Sequence, residues 1–310
     1  MDLELNSEQT LLVEAVGSLG ARWRELPRGH ERDSAYFASD LHTALTEGGF
    51  LRAGLDMGML EAALVIIEVS RLPCVTSVGA SAMVAAALLG EIPQGPVALL
   101  SNDLAGAQRL LPIAAHAFAE DGEDAVFLDL AGVEVESVES IYAYPYGRFA
   151  EPIDLARGHR LTGAAVRLRQ WRRTALAAEC AGAAQSALAI TLEHVKQRFV
   201  FGHAVGSFQA VQHRLAQCHQ IACAMRFLAL HAAWSGEALG ADTAATYAQD
   251  HANKLAFDFH QFNGGMGVTN EHQLHYFTYR LRALQSEVGG ADSAATAVYD
   301  HNWRFSEGQT

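Results

Sequence analysis

Several things are scarce in this sequence, and each scarcity removes a class of protein. Cysteine occurs four times in 310 residues, as Cys74, Cys180, Cys218 and Cys223, with no C-x-x-C pair. The acidic opening MDLELNSEQ reads as having no secretory signal, so the expected compartment is the reducing cytoplasm. Cations are outnumbered: 22 Lys and Arg stand against 35 Asp and Glu, a formal charge of −13. Phosphodiester backbones require clustered cations, which excludes nucleic acid as the main partner. Long hydrophobic runs are missing as well. The least polar stretch, CVTSVGASAMVAAALLG (74–90), is short for a membrane span of about twenty residues, is rich in small and hydroxyl side chains, and is followed by Glu91. It reads as a buried helix of small residues, and no membrane partner is expected. No G-x-S-x-G is present to start a serine hydrolase. His213, Cys218, His219 and Cys223 spread around more than one helical face, and His272 and His275 lack a third, acidic ligand at fixed spacing, so no metal site is expected.

What the chain does contain is apolar residues at helical spacing. Half of the 310 residues are apolar, enough for a sizeable core in about two domain-sized units. Asn6-Ser7-Glu8-Gln9 offers a cap ahead of Leu11, Leu12, Ala15, Val16 and Leu19, which follow the i, i+3/i+4 rule. Further helices are expected over SDLHTALTE, ended by Gly48-Gly49, over MLEAALVIIEVSRL, and over 79–89, with Pro73 separating the last two. From about Pro93 to 160 the texture turns to Val, Phe and Tyr with alternating polarity, and Asp121-Gly122 is placed as a hairpin turn. Tyr142, Tyr144 and Tyr146 are read as a packing ladder on one strand face. Helix resumes from about Ala164 to Lys196, then over 208–235, 241–262 and 272–287. The expected fold class is therefore mainly α: an N-terminal helical domain (1–92), a small reduced β domain (93–160) and a C-terminal four-helix bundle (161–310).

Residues 197–213, QRFVFGHAVGSFQAVQH, interrupt that bundle with far more chemistry than a connector requires. Arg198, Phe201, Gly202, Phe208, Gln209, Ala210 and His213 match a linker pattern of the acyl-CoA dehydrogenase family. About sixty residues on, Gln261, Gly264, Gly265, Gly267, Thr269 and Glu271 match that family's second signature, ahead of a helix bearing Arg280 and Arg282. The two motifs, in this order and at this separation, make the chain resemble that family, and the layout of helices, β insert and bundle agrees. The resemblance implies FAD as cofactor, with its adenosine-diphosphate arm crossing a subunit interface against these motifs. Arg198 would meet the diphosphate as a charge that cannot be lost. Gly264 and Gly265 would let backbone N–H groups approach where a Cβ would obstruct. Gln261 would both donate and accept, and Phe201 and Phe208 would give the adenine end apolar surface.

The pattern breaks in two places. Desaturation of an acyl-CoA needs a carboxylate to remove the α proton. One family position for it falls in QSEVGGADS, where Val288 precedes Gly289 and Glu287 stands one residue early, about 100° away on a helix. Glu287 is the candidate base but reads as solvent-facing; Asp292 is weaker. The other family position, early in the long helix, holds Arg172 and Arg173, and Glu179 stands about two turns too far along. The segment T-E-P-x-x-G-S-D and the Trp-bearing strand that hold the flavin ring are also missing between 90 and 160. The resemblance then narrows to the short subunit of heteromeric α2β2 dehydrogenases of steroid catabolism. Such a chain would grip the diphosphate half of the flavin, while a longer dehydrogenase-like partner supplies ring site and base. The implied substrate is a bulky, steroid-derived acyl-CoA, with electrons passing to an electron-transfer flavoprotein. Two alternatives stay open: a self-sufficient homodimer using Glu287, and a flavin-free assembly subunit.

Overall fold

The computed structural model describes residues 4–30 and 33–303, so the first residues of MDLELNSEQ and the tail 304–310 lie outside the described residues. The N-terminal part is helical: α1 (Ser7–Leu19), α2 (Ser39–Glu47), a short α3 (Ala53–Asp56), α4 (Met59–Ser70) and, after a π-helical turn at Ala80–Ala85, the short α5 (Ala86–Leu89). Asn6 and Gln9 form the expected capping box: Asn6 Oδ1 accepts from Gln9 N at 2.8 Å and Gln9 Oε1 accepts from Asn6 N at 3.1 Å. The Gln9 amide also donates to Glu61 Oε1 at 2.8 Å, tying α1 to α4. Gly48 caps α2, and Gly49 takes the left-handed φ of 75° that turns the chain away.

The strands that follow form two small sheets. β1 (Val97–Leu99), β3 (His116–Asp121), β4 (Asp124–Asp129) and β7 (His159–Leu161) stand in the order β1-β3-β4-β7, with only the β1–β3 pair parallel. β2 (Gln108–Arg109), β6 (Tyr146–Phe149) and β5 (Val135–Val138) make an antiparallel three-stranded sheet. Two sequence expectations shift here. Asp121 pairs with Asp124, so the hairpin turn is Gly122-Glu123, with the positive φ of 62° on Gly122. Tyr142 and Tyr144 lie in the irregular segment before β6 and form no ladder with Tyr146; Pro145 and the bend ahead of it prevent regular pairing.

The C-terminal part is built around α6 (Ala165–Gln197), from which the chain runs through the β8 (Phe199–Val200) and β9 (His203–Ala204) hairpin into α7 (Gln209–Ser235), α8 (Ala238–Gly267), α9 (Leu274–Leu284) and α10 (Gly290–Trp303). From Trp171 to Ala184 every residue of α6 is buried, because α4, α7, α8 and α9 all pack on it. By length and composition α6 is the helix able to cross a membrane, yet 72% of its apolar window is buried inside the protein; the 74–90 stretch singled out from sequence is not that helix. α10 was not foreseen. The expected last helix over 272–287 instead ends at Leu284, where Gly289 and Gly290 both take positive φ and restart the chain.

Close approach of α6 to α4 depends on Gly182. A Cβ there would press into the Ile67 carbonyl and stand 2.7 Å from Ser70 Cβ, both on a buried helix with no room to move. Gly182→Val is therefore expected to lower stability by about 1–3 kcal/mol through overpacking. A lower urea midpoint at unchanged slope would show it.

Candidate functional site

α6 ends at Gln197, and Arg198 leaves it with extended backbone (φ −83°, ψ 121°), its N–H still donating to His194 O at 2.9 Å. A two-residue turn follows in which Phe201 (φ 51°) and Gly202 (φ 79°) are both left-handed. That conformation suits glycine and is rare for an aromatic residue. Phe201 is also 94% exposed, so no packing of its own side chain within this chain accounts for the strain. The chain restarts at Gln209, with Phe208 at the N-cap.

The second motif lies at the end of α8. Gly264 breaks the helix with φ 55° and ψ −141°, a combination essentially confined to glycine. A Cβ on Gly264 or Gly265 would meet nothing within 4 Å, so this backbone faces open space. Two contacts, the first of them buried, bring the motifs to one end of the bundle. Asn263 Nδ2 donates to Thr191 Oγ1 at 2.9 Å, and the His194 ring meets His272 edge-on at 5.9 Å. Arg198, Gln261, Gly264 and Gly265 are all exposed there, as is Phe208 at 37%. Among the described residues Arg198 has no carboxylate partner. This end therefore offers a free guanidinium, an uncovered glycine backbone, an amide and two aromatic faces, a set suited to a phosphorylated, ring-bearing ligand.

Both candidate bases lie far from that end. Glu287 was expected to face solvent; its side chain is only 15% exposed and its Oε1 lies 3.4 Å from Arg109 Nε. The helical rotation that suggested otherwise does not apply, because Glu287 stands in a 3-10 turn and Val288 takes φ 54°. Glu179, which looked misplaced, receives the other side of the same guanidinium, Arg109 Nη1 donating to Oε2 at 2.9 Å. Burial opposes the charge on Arg109, but Glu179 and Glu287 more than offset it and raise its pKa. Tyr144 lies under the guanidinium at 4.7 Å with its hydroxyl 3.4 Å from Glu179; burial and that carboxylate push its pKa up. Burial, with Glu287 next, pushes Tyr146 up to about 12. Asp292 is exposed on the first turn of α10.

Arg109 escaped the sequence reading, since nothing in AGAQRLLPIAA marks it, and its partners lie 70 and 178 positions on. It lines a cavity of about 640 Å³ between the strands, the first turns of α6 and the α9–α10 connector, where Arg172 and Arg173 also stand. That cavity and Arg198 flank opposite ends of α6. The 26 positions from Arg172 to Arg198 correspond to roughly 40 Å of helix.

The chain is similar to known proteins in sequence and in fold. Residues 163–298 match the family description "Acyl-CoA dehydrogenase, C-terminal domain". Acyl-CoA dehydrogenase IpdE2 of Mycobacterium tuberculosis is 35% identical over 127 residues, which is 36% of this chain and 40% of that protein. The chain thus spans two-fifths or less of the first curated relatives it matches. Over nearly its whole length it shares a fold with solved heteromeric structures. A chain of the ChsE4-ChsE5 complex from Mycobacterium tuberculosis superposes with a TM-score of 0.80 at 21% identity, covering 96% of this chain and 98% of that one. A chain of the Tcur3481-Tcur3483 steroid ACAD G363A variant gives 0.80 at 22% identity, covering 94% and 97%.

Two outcomes follow from the charges. Glu179→Ala strips a fully buried guanidinium of its nearer carboxylate and is expected to cost about 3–5 kcal/mol in denaturant unfolding. Burial holds His194, His260, His272 and His275 below their ordinary pKa of 6.5. The unfolded chain therefore binds more protons once the pH drops under 6.5, and stability is lost as the pH falls from there through the depressed folded values. Melting temperatures across pH 7.5 to 5.5 should decline, less steeply in His260→Gln.

Proposed function

We propose that this is one chain of a heteromeric FAD-dependent acyl-CoA dehydrogenase, contributing the diphosphate and adenosine half of the flavin site; the match of residues 163–298 to that family's C-terminal domain and the shared fold over nearly the whole chain support this. The observation that carries this reading is the contrast between the two ends of α6. At one end Arg198 has no carboxylate partner among the described residues, and the Gly264-Gly265 backbone at the same end of the bundle faces open space. At the other, Glu179 and Glu287 are both engaged by Arg109.

The residues present fit the phosphate-bearing arm of FAD. Arg198 would offer fixed donors to the diphosphate, the Gly264-Gly265 backbone would approach without a Cβ in the way, and Gln261 would bond the adjoining sugar or phosphate oxygens. Phe201 and Phe208 would flank the adenine end. Bound FAD supplies the acceptor for the hydride that leaves the β carbon of the acyl group as the α proton goes to a base. That base must be a carboxylate free to take a proton, so neither Glu287 nor Glu179 serves, and the partner chain provides it. About 40 Å of helix between Arg198 and this chain's cavity exceeds what one dinucleotide spans, so a flavin gripped at Arg198 presents its ring to a neighbouring chain.

The partner is a longer dehydrogenase-like chain, in an α2β2 assembly that passes electrons to an electron-transfer flavoprotein in the cytoplasm. The likeness to a complex described as a steroid ACAD supports a bulky, polycyclic acyl-CoA as substrate. The homodimeric alternative needs Glu287 free, and the ion pair with Arg109 counts against it.

Co-purified with its partner, the complex is expected to hold one flavin per two chains, and this chain alone to be colourless. One flavin per chain would overturn the reading. Arg198→Ala should weaken flavin retention in the complex by about 1.5–3 kcal/mol, or roughly 10- to 150-fold, with folding unaltered by circular dichroism. Unchanged retention would favour the flavin-free assembly subunit.

A further inference from the structure

The cavity at the start of α6 is built from charge. Its floor is the helix face bearing Arg169, Arg172 and Arg173. Most of the surrounding charges are already matched. Arg173 donates to Asp242 Oδ1 at 2.6 Å and to Ser293 Oγ at 3.0 Å, Arg169 donates to Glu120 Oε2 at 2.5 Å, and Arg109 holds Glu287. Arg172 is the exception. It is 3% exposed; its hydrogen bond goes to a backbone carbonyl, Leu100 O, at 2.8 Å; its Nε has no partner. Its nearest carboxylate, Glu120, lies at 3.9 Å and is spent on Arg169. Burial lowers its pKa, and Glu287 and Glu120 do not make up the difference.

A buried guanidinium without a hydrogen-bonded counter-ion is a costly arrangement unless an anion completes it. The space beside Arg172 has the size of a small-molecule site, about 640 Å³. Its walls are wrong for an acyl chain, since covering buried guanidinium groups with hydrocarbon would strip them of solvent and return no bond. Hydroxyl groups of Ser101, Ser293 and Thr296 add polar partners. One wall is the connector in which Val288 is held at φ 54°, the kind of backbone strain that clusters at ligand sites.

We propose that this cavity binds a small hydrophilic anion, a carboxylate or a phosphate monoester, anchored by Arg172. The site is separate from the one at Arg198 and does not depend on flavin. The acids on its rim, Asp103 and Asp300 among them, limit the ligand to one anionic group set among neutral hydrogen-bonding atoms.

Isothermal titration of the full chain, with its partner where one co-purifies, tests this with sodium glycolate, a hydroxyl-bearing monocarboxylate, in one arm and inorganic phosphate in the other. Sodium chloride at matched ionic strength is the blank. Saturable binding is expected in at least one arm, and the better arm tells carboxylate from phosphate. Affinity should fall about tenfold or more in Arg172→Met, the loss of a charge-assisted hydrogen bond. It should vanish in Thr296→Trp, which fills the cavity from an exposed position and leaves every guanidinium in place, and persist in Arg198→Ala. No saturable heat with either probe up to about 10 mM, or binding by Arg172→Met or Thr296→Trp as tight as by the unaltered chain, would overturn the proposal.

Discussion

The guanidinium of Arg109 joins three distant parts of the chain at one point. It starts on β2, lies over Tyr144, and reaches Glu179 on α6 and Glu287 in the α9–α10 connector. A lone cation so deeply buried would be intolerable, and two carboxylates so close would repel. The arrangement persists because each charge is answered by another in a place water does not reach. Its consequence is positional rather than simply stabilising. The second sheet is fixed to the bundle, and the connector is held in the strained turn at Val288. The same bonds consume the carboxylates that a desaturating chain of this fold would want unpaired.

That interaction also explains how the molecule divides its labour along α6. The helix is buried all round from Trp171 to Ala184 and emerges toward Gln197, so its two ends lie in different surroundings. The beginning is locked among ion pairs. The end is open: among the described residues Arg198 has no carboxylate, and a Cβ on Gly264 or Gly265 would meet nothing within 4 Å. A helix this long and this well packed cannot bend one end toward the other, so rigidity itself keeps the two ends apart, and on the proposed reading it would separate gripping a ligand's tail from acting on its head.

How much of this was legible depended on the range of the interactions involved. The bundle-end motif could be read because each part is local: an arginine at a helix end, a Phe-Gly turn, a glycine pair that breaks a helix. The capping box at Asn6 and the glycine stop after α2 were legible for the same reason. The Arg109 cluster was not, because ion pairs across 70 residues leave no trace in spacing. Glu287 was misjudged through geometry, since a rotation of 100° presumes a helix and the chain there is a tight turn. α10 was missed because Gly289-Gly290 reads as a terminus, and the alanines, Asp292 and Ser293 that follow show little apolar period.

The open end of the bundle carries one more consequence of its own composition. Phe199 is 63% exposed, Phe201 94%, Phe257 65% and Val268 69%, all on or beside the hairpin and the end of α8 that carry the two motifs, on a chain of net charge −13. Single exposed apolar residues are ordinary, but a group of them on the elements that meet at one end is not. Bare water leaves both the aromatic surface and the strain at Phe201 uncompensated. A ligand's ring system would cover part of that surface, and the face of a second chain would cover the rest and desolvate Arg198 against its phosphates. On the proposed reading, ligand and partner would need each other at this surface: a phosphate arm would supply the anion that permits a cation to be buried between chains, and a second chain would exclude the water that otherwise screens it.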